Sequence, residues 1–209
     1  MTLPTNINDR EQQKFVEVGS LPAVRVALVS GSSSSEESVI TTGGLVRAVA
    51  SSIVRPSDTT AYASGDLVAN STTSGSVTPF SFSTAARVTA GSLIVRKIRL
   101  RKTSTGITNA QFRVHLFSAS PTVSVGDNAA FNSAGALSTT GSANYHGQTD
   151  ITLDSGFSDG ANGFSGSSFY DTHIKLASGT TVYALLEARA AYTPTSGETI
   201  TMTLEVMQD

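Results

Sequence analysis

Apolar and polar residues alternate in short segments along most of this chain, and that alternation constrains the fold more than any other feature. The clearest case is the segment 198–208, "ETITMTLEVMQ". Its residues Ile200, Met202, Leu204 and Val206 lie on one face of an extended strand, and threonines occupy the other face. A segment that buries one face and exposes the other is typical of a strand in an antiparallel sheet.

Similar segments recur after residue 57, and Gly, Ser, Asn and Pro separate them. They are "GDLVAN" (65–70), "SVTPFSF" (76–82), "SLIVRKIRLRK" (92–102), "AQFRVHLF" (110–117), "TDITL" (149–153), "THIKLA" (172–177), "TVYALLEARAAY" (181–192) and the segment 198–208. An earlier apolar segment, 43–56, is predicted to be a strand that leads into the main domain. This spacing predicts an all-β protein, an antiparallel β-sandwich of jelly-roll type.

Two pairs of segments are separated by loops of hairpin length. The segment 92–102 would pair with 110–117 across "TSTGITN", and 181–192 would pair with 198–208 across "TPTSG". Besides the four apolar residues of the last segment, the expected core contains Phe82, Ile94, Ile98, Leu100, Phe112, Val114, Leu116, Ile151, Leu153, Tyr183 and Leu185. Such a set is ample for one domain.

The composition agrees with a β protein and excludes several classes of function. The chain has no cysteine, so it has no disulfide framework, thiolate zinc site or cysteine nucleophile. Its formal charge of −2 and its 14% charged residues argue against general binding to nucleic acid or to an anionic membrane. The polar first residues do not resemble a secretory signal, and no apolar run is long enough for a membrane span, so we expect a soluble protein.

The N-terminal part of the chain has a different pattern. Residues 1–13 are polar, "KFVEV" and "AVRVALV" alternate like strands, and "SGSSSSEES" follows as a flexible linker. An isolated two-stranded ribbon is marginal in water, so we predict an extended arm that adds to the sheet of another polypeptide. The apolar residues that would bind the partner are Phe15, Val16, Val18, Val24, Val26 and Leu28. The predicted division is therefore a tail, ribbon and linker over 1–55 and a sandwich over 56–209.

No motif in the sequence indicates an enzyme or a cofactor. Serine is abundant, but no G-x-S-x-G elbow or phosphate-binding glycine motif occurs. The loop 154–163 lacks the ligand order and the closing glutamate of a calcium loop. Most acidic residues lie at strand ends or in the tail, and only Glu187 and Glu205 are mid-strand carboxylates on strands that are plausible neighbours. We interpret both as residues of a solvated sheet face. We expect a protein without catalytic residues, metal or cofactor.

The segment "VRKIRLRK" is the most distinctive charged feature. Lys97, Arg99 and Arg101 share one side of the strand by its two-residue period, and Arg113 would extend that side from the strand predicted to pair with it. Phe117 is the only aromatic residue expected near these charges, which is too few for base stacking. A solvated face or a docking surface for an acidic partner is the better interpretation.

The long irregular region 118–170 offers an alternative surface. It contains the aromatic or imidazole side chains Tyr145, His146, Phe164, Phe169 and Tyr170, which could recognise a glycan or a receptor. A hydrolase hidden in these loops, built from His146 or His173 with Asp150 or Asp171, is a third hypothesis.

The order of these parts resembles a known family. A polar tail, "KFVEVGSLPAVRVALVSG", a Ser-rich linker and a Ser/Thr/Gly-rich sandwich containing "AYASGDLVAN", "FRVHLFSASPT" and "GDNAAF" look like virion structural proteins of tailed bacteriophages. The resemblance implies a capsid decoration or cement protein, or a neck or tail accessory protein. It also implies docking on the major capsid protein or other virion proteins, self-association as a dimer or trimer, and a location in virions assembled in the host cytoplasm.

Overall fold

A computed structural model of the chain describes residues 44–103, 110–131, 133, 135–156 and 164–208. These residues form ten strands and one short helix, so the predicted all-β class is confirmed. The elements are β1 (Leu45–Val54), β2 (Leu67–Val68), β3 (Phe80–Phe82), β4 (Ser92–Lys102), β5 (Ala110–Phe117), α1 (Thr139–Ala143), β6 (Tyr145–Leu153), β7 (Ser155–Gly156), β8 (Phe164–Lys175), β9 (Val182–Ala188) and β10 (Thr199–Gln208).

The first sheet has the strand order β1-β10-β4-β8-β7, and all its neighbours are antiparallel. The apolar segment 43–56 is a strand, as predicted. Strand β1 pairs along its whole length with β10, from Leu45 opposite Gln208 to Val54 opposite Thr199. The described part of this sheet therefore begins at Leu45. The predicted domain boundary, between residues 55 and 56, comes directly after strand β1, so β1 lies on its N-terminal side.

The second sheet has the order β2-β9-β5-β6 and is also antiparallel. Strand β3 pairs with β9 as well, beside Val182 to Ala184, while β2 pairs beside Leu186 and Glu187. The short strands β3 and β2 therefore pair with successive parts of β9.

Both predicted hairpins are wrong. Strand β4 belongs to the first sheet and β5 to the second, and β9 and β10 are divided in the same way. The chain crosses between the sheets at each of these connections. Alternation determines which face of a strand is buried, but it does not determine which strand lies beside it.

The two sheets pack face to face in a β-sandwich-like arrangement, and one apolar cluster fills the space between them. It includes Phe82, Ile98, Leu100, Phe112, Val114, Leu116, Ile151, Leu153, Ile200, Met202, Leu204 and Val206 from the predicted core, all of them buried. Ile94 is only half-buried, contrary to the prediction. A β-bulge between Val95 and Lys97 reverses the alternation, so that Leu93 and Val95 face the core instead.

A second apolar cluster lies on the opposite face of the second sheet. Leu67, Ala69, Phe117, Val123 and Leu185 are its buried members, and Tyr183 packs against them. The irregular region that follows β5 supplies Val123, Val125, Phe131 and Leu137 to this cluster. In the described part of the chain, the second sheet is therefore covered on both faces and the first sheet on one.

The predicted N-terminal arm lies outside the described residues. Within the described ranges, no helix is long and apolar enough to cross a membrane.

Candidate functional site

The outer face of the second sheet carries a cavity of about 400 Å³ beside the second apolar cluster. Strands β5, β6 and β9 form its floor, and the region between β5 and β6 forms one wall. The lining residues are Arg113, His115, Phe117, Phe131, Leu137, Ser142, Tyr145, Gln148, Glu187 and Arg189. This volume lies within the usual range for small-molecule pockets.

Strand register brings the polar members of the pocket together. Arg113 on β5 lies opposite Asp150 on β6 and opposite Glu187 on β9. Two residues further along β5, His115 lies opposite Gln148. Residues directly opposite one another in antiparallel strands share a face, so all five side chains point to the same side.

A buried carboxylate forms the floor of the pocket. Glu187 is 4% exposed, and its two carboxylate oxygens lie 2.8 Å from His115 Nε2 and 2.8 Å from Arg189 Nη1. Burial raises the pKa of Glu187, but the hydrogen bonds and charges of His115 and Arg189 outweigh burial and bring the pKa below its ordinary value. The carboxylate is therefore ionised at neutral pH and acts only as an acceptor.

A second ion pair lies at the side of the pocket. Arg113 donates from Nε and Nη2 to the two oxygens of Asp150, at 2.6 and 2.8 Å. The bidentate hydrogen bond from Arg113 lowers the pKa of Asp150, and the same bond raises the pKa of Arg113. Both groups are thus held in their charged forms and in a fixed orientation.

Aromatic rings surround His115. Phe131 meets the imidazole edge-on, with centroids 5.2 Å apart, and Tyr145 is tilted at 5.9 Å. The Tyr145 hydroxyl lies 3.4 Å from His115 Nδ1 and donates to Gln148 Oε1 at 3.1 Å. Burial raises the pKa of Tyr145, so this hydroxyl stays protonated. Tyr145 as a whole is 38% exposed, and its ring presents an apolar surface to the cavity.

The chemistry of this pocket favours binding over general acid catalysis. Hydrolysis of a glycosidic bond by two carboxyl groups requires one of them to hold a proton near neutral pH. Both Asp150 and Glu187 have lowered pKa values and are occupied by arginine. Among the residues that the structure describes, no group of three or more His, Asp or Glu side chains is placed to hold a metal ion.

The predicted basic face is divided between the two sheets. Lys97, Arg99 and Arg101 lie together on the outer face of β4, as predicted. Arg113 does not join them, because β5 lies in the second sheet, and it lines the pocket instead. We call the outer face of the first sheet the open face; it comprises Lys97, Arg99 and Arg101 of β4, Thr201, Thr203 and Glu205 of β10, and Ser167 and Phe169 of β8.

The aromatic residue beside these cations is Phe169, which the sequence assigned to a loop. Phe169 lies opposite Lys97 in the first sheet, is 82% exposed, and has Lys97 Nζ 5.2 Å from its ring centroid. Phe117, the expected neighbour, is buried in the second sheet. Of the other predicted loop residues, Tyr145 lines the pocket, Tyr170 packs against the main core, and the side chain of Phe164 lies outside the described part.

A buried polar network lies at one end of the sandwich. Arg55 Nη2 donates to Asp127 Oδ2 at 2.8 Å, and Tyr62 donates to Asp127 Oδ1 at 2.6 Å. The ring of Tyr62 stacks on Tyr192, whose hydroxyl donates to Glu198, and Lys102 pairs with Glu198 at 3.0 Å. Hydrogen bonds to Asp127 thus connect the segment that contains it to residues that directly follow a strand of each sheet, Arg55 after β1 and Ala69 after β2.

Sequence reasoning missed Glu187 and the residues around it. The segment "VYALLEA" is apolar on both faces except at Glu187, and that pattern predicts a strand covered on both sides. A carboxylate in such a strand needs buried partners. The interpretation of Glu187 as a solvated residue was wrong for this reason, whereas Glu205 is partly exposed and pairs with Arg99 at 3.1 Å.

No protein-family model matches the chain, and no curated protein matches it.

Proposed function

We propose that the protein is a non-enzymatic structural protein, a jelly-roll sandwich with an N-terminal arm, that docks on an acidic surface of a larger particle. The observation that carries the proposal is the open face, where Lys97, Arg99 and Arg101 stand in a row beside an aromatic side chain that is 82% exposed. The resemblance in the sequence favours a tailed-bacteriophage virion as that particle, with the major capsid protein or another virion protein as the partner.

The open face has the composition of a docking surface. An exposed phenylalanine gains free energy when a partner covers it, and aromatic and arginine residues are enriched where binding energy concentrates. The neighbouring side chains are short, since Thr201, Thr203 and Ser167 surround the arginines. A partner surface can therefore approach the sheet closely.

The charge of the open face supports an acidic partner. Arg99 is paired with Glu205, and the adjacent Arg96 is paired with Asp171 at 2.9 Å. Lys97 and Arg101 add positive charge beyond these two pairs. All four side chains of these pairs are at least 33% exposed to solvent, and such pairs are weak in water, so a partner's carboxylates can compete for the guanidinium groups.

The proposal is tested on particles purified from the source cells. The chain should band with virus-like particles in a density gradient, and part of it should be released when salt is raised to about 1 M, where the Debye length falls to about 3 Å. A chain found only among unassembled proteins would contradict the proposal.

A pair of matched variants tests the face itself. Arg99→Glu with Arg101→Glu should weaken banding with the particles, whereas Arg47→Glu with Arg87→Glu changes the net charge equally and should leave banding unchanged. Both Arg47 and Arg87 are exposed, and neither is among the residues of the open face. Equal effects of the two double variants would show that only net charge matters.

The N-terminal arm would provide a second, independent contact. Its six apolar residues, from Phe15 to Leu28, would add strands to a neighbouring subunit, and many copies on a lattice would multiply a modest single affinity. Self-association as a dimer or trimer belongs to the same proposal, and native mass spectrometry of the purified chain measures it directly.

A further inference from the structure

The pocket on the outer face of the second sheet presents donors and acceptors side by side in fixed positions. Glu187 contributes carboxylate oxygens, and each such oxygen can accept more than one hydrogen bond. Arg113 binds Asp150 through two nitrogens, which leaves its third nitrogen outside that pair. Arg189 likewise uses Nη1 for Glu187.

These groups are balanced in charge. Two guanidinium groups, Arg113 and Arg189, are matched by two carboxylates, Asp150 and Glu187, in mutual ion pairs. A ligand that carried a charge would compete with one of these pairs and would leave its partner uncompensated. The pocket is therefore suited to a neutral ligand.

The polar groups of a neutral ligand must both donate and accept here. A hydroxyl group does both, so two neighbouring hydroxyls can donate to Glu187 while they accept from an arginine. The rings of Tyr145 and Phe131 border the same space and offer apolar surface for C–H groups. Vicinal hydroxyls on one edge of a ring and C–H groups on its face are the features of a pyranose.

We propose that this pocket binds a terminal pyranose residue of a neutral saccharide. The inference is independent of docking through the open face, because the two surfaces belong to different sheets. The cavity of about 400 Å³ accommodates one sugar residue with part of a second. The residues that hold the polar groups in place are themselves paired, so little side-chain freedom is lost when a sugar binds.

Titration with free sugars, followed by amide and side-chain NMR shifts, tests the proposal. The probes are glucose, galactose, mannose and N-acetylglucosamine as neutral pyranoses, N-acetylneuraminic acid as an acidic sugar, and cyclohexanol as a ring without a diol. At least one neutral pyranose should shift resonances of His115, Tyr145 and Gln148 in a saturable way, with a Kd on the order of 1 mM, typical of a single weak contact. Cyclohexanol should cause no saturable shift of these resonances.

Variants then assign the contact to the pocket. Tyr145→Ala should weaken binding at least tenfold, and Tyr145→Phe should keep most of it because the ring remains. Arg189→Gln, at a half-exposed position, should also weaken binding at least tenfold. Phe169→Ala removes an exposed aromatic residue from the other sheet and should have no effect. Thermal melting confirms that each variant is folded.

Three results would overturn the proposal. The first is the absence of saturable shifts in the pocket with every neutral pyranose. The second is saturable binding of N-acetylneuraminic acid alone, which would assign the pocket to anions. The third is undiminished binding by both folded variants, Tyr145→Ala and Arg189→Gln.

Discussion

At the scale of single residues, the buried ion pair between Arg55 and Asp127 should be sensitive to substitution. The Asp127 carboxylate accepts hydrogen bonds from Arg55, from the Tyr62 hydroxyl and from the Ala69 amide. Replacing it with alanine removes the buried counter-charge of Arg55 and leaves only the more distant, partly exposed carboxylate of Asp58 near the guanidinium. We expect Asp127→Ala to lower the free energy of unfolding by about 3–5 kcal/mol, measured by chemical denaturation.

Asp58 provides the matched control for this prediction. It approaches the same guanidinium at 3.6 Å, but its side chain is 33% exposed. Asp58→Ala should therefore cost about 0–1 kcal/mol. If the double variant Arg55→Met with Asp127→Leu is less stable than Asp127→Ala, the cost does not come from the unpaired charge.

Glu187 makes the free energy of unfolding depend on pH in the acid range. Its pKa in the folded protein lies below the ordinary glutamate value of 4.5, so ionised Glu187 stabilises the fold above that pH. The stabilisation is lost as the pH falls from 4.5 through the folded pKa. Denaturation at a series of pH values should show a smaller loss across this window for Glu187→Gln than for the natural protein. The basic groups near Glu187 are His115, Arg189 and Arg113. Equal losses in the two proteins would show that these groups do not hold Glu187 ionised.

At the scale of strands, the approach of β8 to β6 joins the two sheets along one side. Thr149 Oγ1 lies 3.0 Å from Ser168 Oγ across this contact. A Cβ added at Gly166 would lie 2.1 Å from the carbonyl oxygen of Thr152, which is backbone and cannot rotate away. We expect Gly166→Ala to lower the free energy of unfolding by about 1–3 kcal/mol.

Ser167 is the control for the contact between β8 and β6. It is exposed on the open face, so Ser167→Ala should change the free energy of unfolding by less than about 0.5 kcal/mol. If the Gly166 variant is as stable as the Ser167 variant, then the two strands can separate at no cost.

The sequence predicted strands well and their neighbours poorly. The period of two located β4, β5, β9 and β10, because burial of one face acts on each strand separately. A loop of hairpin length can also cross from one sheet to the other, so its length alone did not exclude the observed connections. The bulge at Arg96 is a backbone irregularity without a side-chain signature, and it moved Ile94 out of the predicted core.

At the scale of the whole molecule, the pocket could not be predicted because it depends on that pairing. Arg113 and Glu187 are 74 positions apart in the sequence, yet they lie opposite one another. Once β5 was paired with the wrong strand, Arg113 was assigned to the basic face of the other sheet. Lys97, Arg99 and Arg101 belong to one strand. Their shared face could therefore be predicted without knowing which strands pair.

The described sandwich should fold without the N-terminal segment. Its main core contains buried residues from β1 to β6 and from β8 to β10, and the first of these residues along the chain, Val49, lies in a strand that is fully paired within the sheet. We expect deletion of residues 1–35 to leave the circular dichroism spectrum strand-like and the thermal transition cooperative. The same truncated protein should no longer band with particles if the arm supplies the principal attachment. A truncated protein that folds and still bands would assign the attachment to the open face, and charge reversal of Arg99 and Arg101 in that background would then release it.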